Sequence, residues 1–362
     1  VGQLFVDEAD EFKNLGCETK LNRIAGISEN TSQKALDMFL KTRYINRMRG
    51  EKGVVFATGT PIANSMVELY TMQRYLQYER LERAGLLAFD SWASTFGEVV
   101  SAMEIAPDGS GYRIKQRFCK FFNLPELITM YRDIADVRTK EMLNLPCPEL
   151  ETGKPIDEST EPTIPLKDYI SELVDRSEEI RNHRVSPKDD NMLLVTNDGR
   201  KAALDYRITC PSAPDSPLYK VNVAADNIYD IWGKTKSNKS VQLVFCDLST
   251  PGSQSFCIYD ELKAKLMKKG IPEDEIAFIH DANTEAQKTT LFAKTRAGSV
   301  RILIGSTFKM GAGTNVQDRA VALHHLDAPW RPRDIEQREG RILRQGNMNE
   351  KVMVFRYVTK GS

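Results

Sequence analysis

The apolar run Leu4-Phe5-Val6 ends in two carboxylates, Asp7 and Glu8, followed by Ala9 and Asp10. A strand that delivers an aspartate to its carboxyl end can hold Mg²⁺ through a hard oxygen donor, and the next glutamate can orient or deprotonate a water aimed at a γ-phosphate. The same residues suit a solvated turn or a helix start, so the quartet alone leaves both readings open. A second apolar run, residues 53–57, closes in Thr58-Gly59-Thr60-Pro61. Its hydroxyls and glycine allow backbone to approach the first site, and Pro61 fits the first turn of a helix; a plain turn with a cap fits as well. A third group is the loop Ser306-Thr307-Phe308-Lys309-Met310-Gly311-Ala312-Gly313-Thr314-Asn315, which leaves the end of the run VRILIG. Further on, Gln337 to Gly346 contains Arg341 and Arg344. Three apart on a helix, these two would project from one face and offer planar forks of donors to a polyphosphate, a solvated basic face being the alternative.

Such residues are useful only if strands bring them together. The first strand is followed by polar helical sequence, the second strand, and a helix expected over 64–78 with Met66, Leu69, Met72, Tyr75 and Leu76 inward. From Val241 strand and helix alternate: VQLVFC, a helix over 253–269, EIAFIH, a helix over 285–296, VRILIG, AVALHHL, a helix after Pro332, and KVMVFRYV. This rhythm predicts an α/β fold with a mostly parallel sheet covered by helices, its ligands at the carboxyl ends of strands. Between them, residues 81–215 show amphipathic stretches and five prolines from 146 to 165 without that rhythm, which predicts a mostly helical insertion. The expected domains are therefore 1–80, 81–215 and 216–362.

The 362 residues carry 50 basic and 50 acidic side chains, so a polyanion would be met by a local patch. Lys263, Lys265, Lys268 and Lys269 make one basic helical face, for which solvation is the default. Six cysteines without a CxxC pair suggest reduced thiols in a cytoplasmic protein, and no long apolar span points to a membrane. His183, His280, His324 and His325 read as core or surface residues, not a metal site. Because the chain starts within an apparent strand, it is expected to be a fragment of a longer polypeptide with further domains.

Taken together, the motifs carry a resemblance. Asp7 to Asn14 resembles motif II of superfamily-two helicases, with Lys13-Asn14 pointing to the Swi/Snf-like DNA translocase branch. Thr58 to Asn64, followed by Glu68-Leu69, resembles motif III. The 306–316 loop resembles motif V, Trp330-Arg331-Pro332 a tryptophan-asparagine-proline element, and Gln337 to Gly346 motif VI, all in the family's order. The resemblance covers residues 1–80 and 216–362 and implies two RecA-like lobes, a partial first and a complete second, that clamp ATP and move along DNA. It implies that Asp7 and Glu8 hold Mg²⁺ and activate water, that Arg341 and Arg344 reach the γ-phosphate, and that Thr58, Gly59, Thr60, Gly311, Gly313, Asn315 and Gln337 line the nucleotide. DNA, held mainly through its backbone with little sequence preference, is expected at Ser306, Thr307, Lys309 and Trp330.

Four departures stand beside it. No GxxxxGK[ST] loop occurs; Gly233-Lys234-Thr235 has Ile228 where the first glycine belongs. The chain alone is therefore expected to lack ATPase activity. Asp10 replaces the branch's histidine, Arg331 its asparagine, and Asn347 a common glutamine. Asn197 to Asp205, NDGRKAALD, is similar to a segment of very large methyltransferase-helicase proteins of phages and conjugative elements, and equally suits a polar turn that starts a helix. A helicase-like scaffold that recruits DNA or a partner without hydrolysis is the alternative to the motor.

Overall fold

The computed structural model describes residues 2–21, 24, 26–27, 29–62, 65–105, 112–252, 256–311 and 315–361. It separates into two units, Val1–Met142 and Leu143–Ser362.

In the first unit, strand β1 (Leu4–Val6) pairs in parallel with β2 (Val54–Phe56), the two joined through helix α1 (Gln33–Arg49). Ser32 caps α1 by accepting the Ala35 amide, and Gly50 ends it in the left-handed conformation that glycine adopts without a side-chain clash. The helix expected over 64–78 is two: α2 (Val67–Leu76) and α3 (Tyr78–Arg83) meet at Gln77, while Ala63 and Asn64 lie outside the described residues. Helix α4 (Phe89–Phe96) follows. Then come β3 (Gly97–Ile105) and β4 (Tyr112–Phe121), an antiparallel hairpin where a helical insertion was expected. Helices α5 (Leu124–Arg132) and α6 (Lys140–Leu143) complete the series. An aromatic core of Tyr70, Phe89, Trp92, Phe96 and Phe118 binds α2, α4 and the hairpin together, and Gln73 accepts the buried Trp92 indole N–H at 2.8 Å. One face of the small sheet is open: the register partners Phe5 and Val55 are 69% and 46% exposed.

The second unit holds one parallel sheet of seven strands. In chain order its elements are β5 (Glu149–Leu150), β6 (Ile156–Thr160), α7 (Ile164–Arg181), α8 (Met192–Leu204), α9 (Lys220–Lys234), β7 (Val241–Phe245), α10 (Ile258–Lys268), β8 (Ile276–Phe278), α11 (Glu285–Arg296), β9 (Ile302–Gly305), α12 (Thr307–Gly311), β10 (Ala320–His325), α13 (Pro332–Glu339) and β11 (Lys351–Thr359). The sheet runs β11, β10, β7, β9, β8, with both β5 and β6 on the outer side of β11. Those two strands come from the interval read as an insertion, so the second unit begins well before residue 216. All five residues of β7 are buried, as a central parallel strand requires. Alternation splits them between two cores. Val244 faces Ile228, Tyr259 and Leu262 of α9 and α10, while Leu243 and Phe245 face Met310, Val316 and Ile342. Among the described residues no helix is long and apolar enough to cross a membrane.

Candidate nucleotide and nucleic-acid sites

At the tip of β1 the chain leaves the buried Val6 and exposes Asp7 and Glu8. Glu8 sits at φ 50°, a left-handed conformation that costs a non-glycine residue about 1–2 kcal/mol, and its amide donates to the Asp7 carboxylate at 2.9 Å. Strain of this kind, at the tip of a strand and on an acidic residue, is common where a side chain must be aimed. The tips of β1 and β2 stay joined beyond their ladder, since Ala57 donates to Val6 and Ala9 donates to Ala57.

Asp10, whose type departs from the family pattern, is buried and accepts the Thr58 hydroxyl at 2.8 Å. Thr58 Oγ1 in turn accepts the Thr60 amide at 3.1 Å. Three residues on, Lys13 pairs with Glu68 of α2 at 2.9 Å in a nearly water-free setting. Motifs II and III are thereby tied twice. Of the residues read as nucleotide-lining, Gly59 is exposed with open space where a Cβ would stand, whereas Thr58 spends its hydroxyl on Asp10.

In the second unit the organising residue is Arg338, which the sequence reading passed over for its neighbours Gln337, Arg341 and Arg344. In register, His325 of β10 lies beside Phe245 of β7, so Asp327 and Asp247, each two residues further on, leave adjacent strand tips. Arg338, 1% exposed, lies between them. Its Nη2 donates to Asp247 at 2.7 Å and Asp327 at 2.9 Å, its Nη1 to the Asp327 carbonyl at 2.9 Å, and its Nε to the Thr307 hydroxyl at 2.7 Å. Asp247 also accepts the Thr307 amide and hydroxyl, and Asp327 accepts the amides of Asp247 and Leu248. A planar fork satisfying two carboxylates, a carbonyl and a hydroxyl fits guanidinium and no other side chain. The available signal was the pair of aspartates, each just past a buried strand and needing a cation. Lys220 at the start of α9 is also buried, and burial, opposed by the Asp327 charge, lowers its pKa to about 8.

This network decides what motif V presents. Ser306 is buried, with its hydroxyl 3.4 Å from His280 Nε2, and Thr307 is held by Asp247 and Arg338; both serve the interior of the unit. Lys309 is half-buried on α12, beside Phe308, which is 87% exposed and was not singled out from sequence. Gly311 closes α12, and Gly313 lies outside the described residues. Asn315 is exposed, and its carbonyl accepts from Arg296 at 2.9 Å.

The expectation that Arg341 and Arg344 share a helical face is corrected. Helix α13 stops at Glu339, and residues 340–346 form turns around the fully buried Ile342. Gln337 and Arg341 are half-buried and Arg344 is exposed. Asn347 fixes the turn by donating to the carbonyls of Ala320 at 2.9 Å and Ile342 at 3.1 Å. Trp330, 57% exposed, lies on the loop between Asp327 and the start of α13, with the Arg200 guanidinium 4.5 Å from its ring centre.

Residues 1–139 match a family model described as a probable helicase domain, and residues 222–346 match the helicase conserved C-terminal domain. Each unit thus contains a stretch similar to a helicase domain. No curated protein matches the chain. Among solved structures, the DUF1998 helicase MrfA bound to DNA is similar over 38% of this chain and 18% of its own, with 11% identity and a TM-score of 0.30. The C-terminal part of the Fun30 ATPase domain is similar over 60% of this chain and 87% of its own, with 14% identity and a TM-score of 0.39. The chain thus spans less than a fifth of the MrfA chain.

Proposed function

We propose that this chain is the catalytic part of an ATP-dependent DNA translocase of the Swi/Snf-like branch of superfamily two, acting within a polypeptide that also supplies a phosphate-binding loop. The observation that carries the reading is the tying of motif to motif inside each unit. Asp10–Thr58 and Lys13–Glu68 couple motifs II and III, and Arg338 couples the tips of β7 and β10 to the motif V helix. Rigid linkage between the residues around a nucleotide and those that touch a track is what a motor needs, because the state of one must be felt by the other. The helicase models matched by both units support the same reading. The open face of β1 and β2 supports a first lobe that is only partly present, since parallel strands are ordinarily covered on both sides.

In this reading Asp7 would supply a hard carboxylate oxygen to Mg²⁺, which would neutralise phosphate charge, and Glu8, at the left-handed tip of β1, would orient a water toward ATP. Arg344, exposed on its turn, and Arg341 serve the γ-phosphate, while Lys309 and Trp330 face DNA. A version extended to include a phosphate loop should release phosphate in a DNA-stimulated reaction that Glu8→Gln and Arg344→Ala abolish without loss of DNA affinity. Lys309→Ala should weaken DNA binding and lower its salt slope by about one. DNA binding without turnover in the extended version would favour a recruiting scaffold. Turnover by the 362-residue chain alone that vanishes in Glu8→Gln would show that no further loop is needed.

A further inference from the structure

The segment NDGRKAALD folds as the second half of α8 and the residue beyond it, and most of its members have an evident structural task. Asp198 accepts from Arg176 of α7 at 3.1 Å. Gly199 faces Leu173 of α7, where a Cβ would make an ordinary contact at 3.4 Å. Ala202 and Ala203 are buried, and the Ala203 carbonyl takes the Thr359 hydroxyl of β11 at 2.8 Å. Leu204 enters the core beneath α9 and α10, and Asp205 binds Arg207 through two bonds of 2.9 and 2.7 Å. Arg200 differs. It reaches away from α7 and the sheet to the loop after β10, where Nη2 donates to the Ala328 carbonyl at 2.6 Å and the guanidinium lies over the Trp330 ring.

We propose that Arg200 is a positioning residue that braces one face of Trp330 so that the other face is held out to stack on a nucleobase. This rests on the DNA reading above. The loop is fixed at both ends, by Asp327 in the Arg338 network and by Pro332 at the start of α13, and between them Arg200 clamps Ala328 and the indole. An indole that remains 57% exposed while one guanidinium covers it offers a second face, and every base presents a π-surface to such a platform. Guanidinium is suited to the brace because it stacks flat on an aromatic ring while its edge donors stay free to hold the carbonyl. The ligand class is therefore an unstacked base of a nucleic acid strand, recognised apart from its phosphates.

Two fluorescein-labelled 20-nucleotide DNA strands test this, one of mixed sequence and one abasic, so that charge is equal and bases are not. Anisotropy titrations of the full chain should show the base-bearing strand preferred by about 5- to 100-fold, the range of one stacked base. Trp330→Ala should erase that preference, and Arg200→Ala should reduce it several-fold with the salt slope unchanged. In the Trp330→Ala background Arg200→Ala should have no further effect, and Arg200→Lys should not restore the preference. Because both strands are read on the same sample, partial unfolding of a variant cancels from the ratio. Equal losses for both strands in Arg200→Ala, with a salt slope lower by about one, would make Arg200 a phosphate contact and overturn the proposal. A base preference that Arg200→Ala leaves intact would overturn it while sparing the DNA reading. A wild-type chain that binds neither strand would remove both.

Discussion

Arg338 bridges the buried Asp327 carboxylate and the Asp247 carboxylate, which is 28% exposed, so Arg338→Met would leave the two facing each other without the guanidinium between them. Breaking such a buried set from one side costs about 3–5 kcal/mol. The expected result is a collapse of amide-exchange protection in β7 and β10, with protection of α2 and α4 in the first unit retained; Arg338→Lys should not rescue it, since an ammonium cannot span the same acceptors. His324 makes a second residue-level prediction. It stacks 4.9 Å from Phe355, its Nδ1 accepts from the Tyr357 hydroxyl, and its Nε2 donates to Gln242, whose own amide is directed to the Ile228 carbonyl. Burial, with the charge of His325 second, lowers its pKa from 6.5 to about 3. The unfolded chain therefore binds the extra proton between these values. The stability that neutral His324 contributes is whole above about pH 6.5 and declines as pH falls toward 3, at about 1.4 kcal/mol per unit. Urea titrations from pH 4 to 6 should show a shallower pH slope for His324→Gln than for wild type. The sequence left both His324 and His325 as core or surface residues. The groups that fix the roles of His324 come from strands far along the chain, such as Tyr357, which donates to it from 33 residues away.

Two glycines give opposite expectations at the scale of elements. At Gly305 a Cβ would stand 2.3 Å from the Met310 sulfur and 2.5 Å from Ile279, because α12 folds back directly on the tip of β9. Gly305→Ala should cost about 1–3 kcal/mol and loosen the Thr307–Asp247 bonds. At Gly199, in the middle of α8, the nearest atom is the flexible Leu173 Cδ1 at 3.4 Å. Gly199→Ala should therefore stabilise by about 0.5–1 kcal/mol, a helix-propensity gain with no clash. Denaturant melts of the two variants should move in opposite directions. Strands β7 to β11 were legible because buried parallel strands write short unbroken apolar runs, whereas the short β5 and the polar β6 do not; the helix expected over 285–296 begins and ends at Glu285 and Arg296 behind its Thr284–Gln287 capping box. The hairpin of β3 and β4 was missed because Lys115, Arg117 and Lys120 dilute its apolar positions, and a two-stranded antiparallel ribbon need bury only part of one side. Arg341 and Arg344 were given to a helix because their spacing fits one; the helix ends at Glu339, and the turn beyond it is anchored by the buried Ile342.

For the whole molecule, the division at Met142 and Leu143 replaces the sequence-based boundary at residue 216, and the reason lies in β11. A fragment of residues 143–362 should show strong amide protection at Val354 and Phe355. A fragment of residues 216–362 should lose it, since β5 and β6 would no longer cover that side of β11. Equal protection in the two fragments would contradict this assignment. The same pairing sets a schedule for synthesis. Thr160 of β6 and Thr359 of β11 share a side-chain bond across 199 residues of sequence, and among the described residues β5 and β6 pair with no strand but β11. At about 5–20 residues per second, a ribosome needs roughly 10–40 s to make the partner that β6 awaits. During that interval the edge of β6 is unpaired on the nascent chain, and a chain that stops before Lys351 never closes it.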